Sequence, residues 1–584
     1  MYTLTNFTLA EMVEKSAQHY TSLPAFSMVG GERLSYGDVE SASRKIAAVI
    51  RSYGIEKGDR IALLAENSAR WGVAYLGIVR AGAVVVPILT DFTADQMRNI
   101  ISHSGAKAVV CSGKLFQKIQ SPDLSILALD VKDGSRRDSA TGQPLESSAT
   151  VSDEALRSFE PASPKPDDTA MIVYTSGTTG LSKGVMLSHR NILTNATACR
   201  SIIVLHRTDR LLSILPLAHT YEFTIGFIIP FLAGSHIFYL DRPPSATVLL
   251  PALKSVRPTI MLSVPLVIEK IYRSNIKPTL EGMKLYSNAF FKPLLIAFAG
   301  IKLKKTFGDK LRFFGVGGAP LSADVEEFLK KAGFPYAIGY GLTECSPLIA
   351  GCPPSRTVLR CTGPALKGVS LRIADPRPGT KEGEIQAKGE NIFKGYFKDE
   401  AKTREAFTED GWFKTGDLGF IDEKKRVFVR GRLKNMILGA SGENIYPEEI
   451  EAVLNQSPYV AESLVVEEES GLTAFVYLKS EVLENLEARI QDGIDAAGDI
   501  SSRLGTAIAQ AEKSVAQSLG QAWGDAEKAG VKLLESIRKE TNEKLASFSR
   551  IRTIKLHDGP FEKTPTQKIK RFLYTKSGEN LPRN

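Results

Sequence analysis

The N-terminal part of the chain alternates two hydrophobic periods. Residues 39–53, VESASRKIAAVIRSY, place apolar side chains at helical spacing. Residues 60–64, RIALL, form a short apolar run, the pattern of a buried strand. The same reading predicts helix over 71–81, strand over 83–88, helix over 93–104 and strand over 108–111. Alternation resumes after Ala170. Repeated strand–helix–strand units predict parallel sheets with helices on both faces. Ligands of such sheets bind in the crevice at the carboxyl ends of the strands.

The pattern then changes several times. Residues 131–168 are rich in Ser, Pro, Asp and Gly, which predicts a surface connection. The run 223–240, FTIGFIIPFLAGSHIFYL, approaches membrane length, but Gly226, Pro230, Gly234 and His236 interrupt it, so a buried helix followed by a strand is expected. From about 355 to 431 short strands with frequent turns predict a small β-subdomain. In the stretch 481–545, apolar positions from 483 to 526 span 43 residues in 12 steps, which is a helical period. A long amphipathic helix or helical hairpin is expected there, packed on its own domain or on a second subunit.

Composition narrows the class. The chain has 584 residues, 43% of them hydrophobic and 24% charged. That suits a globular protein with large cores and excludes a disordered tail, a collagen-like fibre and a small disulfide scaffold. Five cysteines without CxxC spacing argue against a zinc ribbon or disulfide framework, and fit a reducing cytoplasm. The first residues, MYTLTNFTLAEMVEK, lack a basic region followed by an apolar core, so no signal peptide is expected. The net charge, 74 − 65 = +9, allows a polyanionic partner. No helix-turn-helix, finger or RNP-like signature accompanies it, so nucleic acid is not expected.

The strongest local signal is 171–184, MIVYTSGTTGLSKG. An apolar strand runs into a loop of hydroxyls and glycines that ends at Lys183. Glycines let backbone N–H groups approach a phosphate, and hydroxyls with one ammonium add donors. The spacing fails GxxxxGK[ST], so this is not a P-loop NTPase. GVGGAP at 315–320 fails the dinucleotide fingerprint, and GASGEN at 439–444 lacks the GxSxG spacing of a hydrolase.

YTSGTTGxxKG resembles the signature of the adenylate-forming superfamily of acyl-CoA synthetases, luciferases and nonribosomal adenylation domains. The remaining motifs follow in that family's order: PLAHTYE at 216–222, GGAP at 317–320, YGLTE at 340–344, GWFKTGD at 411–417, GRLKNMI at 431–437, SGENIYPEEIE at 441–451 and KTPTQKIKR at 563–571. The resemblance covers nearly all of the chain outside 481–545 and looks most like the long-chain fatty acyl-CoA ligases. It implies an α/β fold. A large N-terminal AMP-binding domain, 1–431, would hold two βαβ-type sheets and a small β-barrel. A hinge at 432–434, including Lys434, would lead to a smaller mobile α+β domain, 435–584, carrying the helical insertion.

The resemblance also implies roles. A fatty acid, ATP and coenzyme A would be the substrates, with Mg²⁺ as cofactor. Thr175, Ser176, Gly177, Thr178, Thr179, Gly180 and Lys183 would cradle the phosphates. Gly318, Ala319, Pro320, Tyr340 and Gly341 would border the adenine, Thr343 would bind the α-phosphate, and Asp417 and Arg432 would hold the ribose. Glu344, with the Thr175 hydroxyl, would bind Mg²⁺, a hard cation that prefers oxygen donors. His219 would stand beside the acyl carboxylate. Lys568 would bridge that carboxylate and the α-phosphate during adenylation. Gly439, Ala440, Ser441 and Gly442 would form the tunnel for the thiol arm of coenzyme A. Two positions depart from the family's pattern: Gln567 replaces the usual Gly before the lysine, and Ser182 replaces the usual Pro in the loop. Trp412 is expected in the core, and no group is assigned to deprotonate the thiol.

The residues leave open an acyl carrier protein as acceptor, an aryl or short-chain acid, a homodimer and a peripheral contact with a membrane surface. An inactive nucleotide-binding scaffold is a further reading, opposed by the joint presence of Lys568, Glu344, Thr343, Asp417 and Arg432. The charge is uneven. Residues 551–584 hold eight Lys/Arg against three Asp/Glu, while 481–545 hold eight against twelve. The basic balance thus lies with Lys568, where ATP and coenzyme A would need it.

Overall fold

Short polar side chains start the N-terminal helices. Ser35 and Asp38 form a reciprocal cap on helix Tyr36–Ser52, and Thr93 and Gln96 do the same on Ala94–Ser104. Gly105, at φ 61°, closes the second helix in the left-handed conformation. The first begins three residues before the expected 39 because the cap, not the first apolar residue, sets a helix start. The computed structural model describes residues 2–121, 126–138, 143, 159–175, 183–376, 379–438, 444–468, 471–484, 530–563 and 569–574. In it these helices alternate with strands Arg60–Leu64, Val84–Pro87 and Ala108–Cys111, as the hydrophobic pattern predicts.

The chain divides into two compact units, Met1–Thr415 with Gly419–Val429, and Gly416–Leu418 with Arg430–Asn584. The first contains two large sheets. In the seven-stranded one, Leu127–Asp130, Ala108–Cys111, Arg60–Leu64, Val84–Pro87 and Thr169–Thr175 run parallel. Lys183–Ser188 and Gly395–Tyr396 extend it with antiparallel pairings. The eight-stranded sheet has the order Leu348–Gly351, Tyr336–Gly341, Phe313–Val316, Ile260–Ser263, Arg210–Ser213, His236–Tyr239, Pro24–Met28, Arg33–Ser35. Its six inner strands are parallel. A five-stranded sheet built from segments between Gly363 and Arg432 occupies the region read as a β-subdomain.

The long apolar run folds as core. Residues Glu222–Ile228 form a π-helical segment, Ile229–Ala233 continue as α-helix, and His236–Tyr239 enter the eight-stranded sheet. Phe227 and Phe231 each lie 5.5 Å from the Phe26 ring, and Phe223 lies 4.6 Å from Tyr75. Burying each such side chain contributes about 2–3 kcal/mol, which explains why the run turns inward. No helix among the described residues is long and apolar enough to cross a membrane.

In the second unit, Val460–Glu468 and Gly471–Leu478 pair antiparallel, and Thr553–Leu556 joins parallel. Helix Pro447–Leu454 supplies Ile450 and Leu454 to the core of this unit. Of the segment read as an inserted helix, residues 485–529 lie outside the described residues. Residues 530–543 are helical. Ile537 is buried in the same core, and the Asn542 side chain bonds both the N–H (2.7 Å) and the C=O (2.9 Å) of Ile551.

Candidate active site

Parallel pairing places the carboxyl ends of Arg210–Ser213, Ile260–Ser263, Phe313–Val316 and Tyr336–Gly341 along one edge of the eight-stranded sheet. The segments bearing His219, Val264, Gly318 and Thr343 leave from those ends. Distant motifs therefore emerge side by side for a topological reason. Gly318, exposed at φ 86°, takes a left-handed conformation, and Ala319 and Pro320 are exposed beside it. The Tyr221 ring lies 3.1 Å from where a Gly317 Cβ would stand, so a side chain there would displace the ring.

The turn Thr343–Cys345 is held from several directions. At Gly341 a Cβ would lie 2.0 Å from the Pro347 carbonyl oxygen, so only glycine allows the strand to enter the turn this closely. Asn195 Nδ2, on helix His189–Ala198, donates to the carbonyls of Cys345 (3.2 Å) and Leu348 (2.6 Å). Asn391 Nδ2 donates to the Cys345 carbonyl at 2.9 Å, and Thr224 Oγ1 to that of Ser346 at 2.9 Å. The Phe393 N–H bonds the Glu344 carbonyl at 2.8 Å. Buried amide donors of this kind fix a backbone because leaving them unmade is costly.

The Glu344 side chain meets a second element. The Tyr396 hydroxyl donates to Glu344 Oε1 at 2.9 Å, and the Lys183 ammonium sits 4.8 Å from the centre of the same Tyr396 ring. Strand pairing sets this up: Thr175 lies opposite Lys183, and Val185 opposite Tyr396. The described ends of the hairpin that spans Thr175 and Lys183 are thereby joined to the Glu344 turn through one aromatic ring. The loop residues Ser176, Gly177, Thr178, Thr179 and Gly180 lie outside the described residues.

His219 is half-buried, and its Nδ1 accepts from the Tyr221 N–H at 3.3 Å, which leaves the proton of the neutral ring on Nε2. Glu222, three residues on, is fully buried, and both its oxygens lack a hydrogen-bond partner among the described residues. Burial pushes this carboxyl up to about 8, and the nearby Ser213 hydroxyl, itself outside hydrogen-bonding geometry, opposes the shift. Gly226 makes room for it, since a Cβ there would stand 2.6 Å from Glu222 Oε1.

In the second unit, Arg432 Nε pairs with the buried Asp417 carboxylate at 2.9 Å. Lys434 lies in the short turn Leu433–Asn435 that follows. Lys568 and Gly439, Ala440, Ser441 and Gly442 lie outside the described residues. The neighbours of Lys568 are described. Ile569 pairs with Lys563, and Arg571 contacts Glu451 and donates to the Val465 carbonyl at 3.2 Å.

The donors at Glu344 and Thr175 are hard oxygens, and no cluster of three His, Cys, Asp or Glu side chains suited to a metal occurs among the described residues. Few protein oxygens with the balance from water and phosphate is the pattern of Mg²⁺, so the residues fit that ion. The sequence reading passed over Tyr396, Asn195 and Asn391. Tyr396 lies in GYFKD at 395–399, and the pattern along the chain does not show that its strand pairs with the strand of Lys183.

Residues 13–397 match the family described as AMP-binding enzyme. The chain is 30% identical over 569 residues to the long-chain-fatty-acid–CoA ligase FadD15 of Mycobacterium bovis, covering 90% of this chain and 88% of that protein. It is 29% identical over 466 residues to 4-coumarate–CoA ligase 3 of Oryza sativa, covering 76% and 77%. The crystal structure of ATP-bound MatB from Rhodopseudomonas palustris superposes with a TM-score of 0.72 at 26% identity, covering 98% of each chain.

Proposed function

This chain belongs to the AMP-binding enzyme family and is an ATP-dependent acyl-CoA ligase in the general sense, and we propose that its acid is a medium- or long-chain fatty acid. The likeness to FadD15 over 90% of the chain supports that acid. The chemistry rests on one arrangement, the Lys183–Tyr396–Glu344 contact beside the strand ends that carry Gly318 and Thr343.

In the proposed first step a carboxylate oxygen attacks the α-phosphorus of ATP, the bond to the bridging oxygen breaks, and pyrophosphate leaves. Anion meets anion, so catalysis requires cations and fixed dipoles where charge gathers. Lys183 would meet the phosphates with the loop N–H groups, and Thr343 would donate to the α-phosphate. Glu344 and Thr175 would hold Mg²⁺, which when bound neutralises the departing pyrophosphate. Tyr396 would keep the Glu344 carboxylate aimed. Lys568 would supply the ammonium between the two reacting anions, and Asp417 with Arg432 would take the ribose. In the second step the thiol of coenzyme A loses its proton, its sulfur attacks the acyl carbon, and AMP departs. Gly439, Ala440, Ser441 and Gly442 would leave space for the thiol arm, and Lys434 would mark the hinge between the half-reactions.

An aryl acid is the second reading, favoured by the 29% identity to 4-coumarate–CoA ligase 3. Pyrophosphate release measured over acetate, octanoate, palmitate and 4-coumarate, with coenzyme A or an acyl carrier protein as acceptor, separates the two. Turnover highest with octanoate or palmitate and coenzyme A is expected. Preference for 4-coumarate, or for the carrier protein, would overturn the fatty-acid or the coenzyme A assignment respectively.

A further inference from the structure

Helix Lys292–Thr306 departs from the usual one-sided surface helix. Ile296, Gly300 and Leu303 are buried on its inner face. On the opposite face Leu294, Phe298 and Ile301 are 60%, 63% and 54% exposed. At 3.6 residues per turn these three fall within a sector of about 60°. Phe290, 75% exposed, precedes the helix and packs edge-on against Phe291 with ring centres 5.3 Å apart. No described residue covers this face, and contiguous exposed apolar surface of this kind marks an interaction site.

Its surroundings are basic. The 27 residues between Glu281 and Asp309 contain five lysines and no acidic residue. Lys302 and Lys304 project about 80° to either side of the apolar stripe. Their alkyl stems can lie along an apolar layer while the ammonium groups reach outward to its charged boundary. The helix is about 22 Å long, suited to lying in an interface rather than crossing it.

We propose that helix Lys292–Thr306, with Phe290 and Phe291, is the surface by which the first unit docks on an anionic lipid bilayer. The rings and aliphatic side chains enter the headgroup boundary while the lysines pair with lipid phosphates. A second copy of the chain fits less well, because a self-complementary contact would set these lysines against one another with no carboxylate from the segment between them. Docking here does not depend on which acid the enzyme activates.

The test is co-sedimentation of the full chain with vesicles of phosphatidylcholine alone and of equimolar phosphatidylglycerol and phosphatidylcholine. Binding to the anionic vesicles, weakened by salt, is expected. The combined change Leu294→Ser, Phe298→Ser and Ile301→Ser should weaken it at least about tenfold. The combined change Lys302→Gln, Lys304→Gln and Lys305→Gln should weaken it about a hundredfold, since each surface lysine is worth about fivefold. Five of these six side chains are exposed and Lys304 is half-buried, so both variants should keep the thermal midpoint of the parent. Equal binding to both vesicle types, or unchanged binding of either variant, would overturn the proposal. So would a dimer in vesicle-free solution that the serine variant abolishes.

Discussion

Tyr396 joins a cation and a carboxylate through different parts of one side chain, its ring facing Lys183 and its hydroxyl bonding Glu344. Tyr396→Phe keeps the ring and deletes only the hydroxyl. Acid-dependent pyrophosphate exchange should fall about tenfold, the value of one charge-assisted hydrogen bond, and the Mg²⁺ concentration for half-maximal rate should rise. Exchange equal to the parent's would show that Glu344 needs no support. Glu222 is a different case, a buried carboxyl that makes no hydrogen bond among the described residues and holds its proton up to about pH 8 instead of the ordinary 4.5. The folded protein then binds a proton that the unfolded chain releases near pH 4.5. Glu222 therefore destabilises the fold progressively as pH rises from about 4.5 to about 8, by about 5 kcal/mol at most. Glu222→Gln should flatten that dependence in urea melts across the same range; an unchanged slope would assign it to other groups.

Among the elements, the segment around Lys568 gives the sharpest test. Arg571 is half-buried, and its partial burial works against its charge. The carboxylates of Glu451 and Glu448 more than offset this and hold the guanidinium above its ordinary range. The contacts of Arg571 with Glu451 and Val465 anchor the chain just beyond Lys568. Arg571→Met paired with Glu451→Gln avoids leaving a lone buried charge, which would cost about 3–5 kcal/mol. The double variant should lose at least about tenfold in pyrophosphate exchange, through misplacement of Lys568, yet form thioester from supplied acyl-adenylate within about threefold of the parent. Equal losses in both half-reactions would remove the positioning role. Elements also show where periodicity stops being informative. Helices 39–53 and 93–104 are legible because one face is apolar and the other polar. Lys292–Thr306 is not, because both faces are apolar and the period disappears.

For the whole molecule, the inserted stretch makes a direct prediction. Ile537 and Asn542 belong to the packing of the second unit, so a deletion should stop short of them. Replacing 485–529 with a short Gly/Ser linker should leave pyrophosphate exchange within about threefold of the parent, because the closure cost between two packed elements changes slowly with the length of chain between them. Complete loss from a product that keeps the parent's cooperative thermal unfolding would give the insert a catalytic role. Much of the molecule is determined locally. Apolar spacing decides which segments become helix or strand, and residue type and order decide which chemistry the motifs can support, because both depend on neighbours along the chain. Only the tertiary structure decides that Lys183 and Glu344 share Tyr396, that Asn195 and Asn391 clamp the Glu344 turn, and that Glu222 is buried while Phe298 is exposed. Each of these depends on which strands lie side by side and which helix face finds a cover, and that is set by packing between segments far apart in the chain.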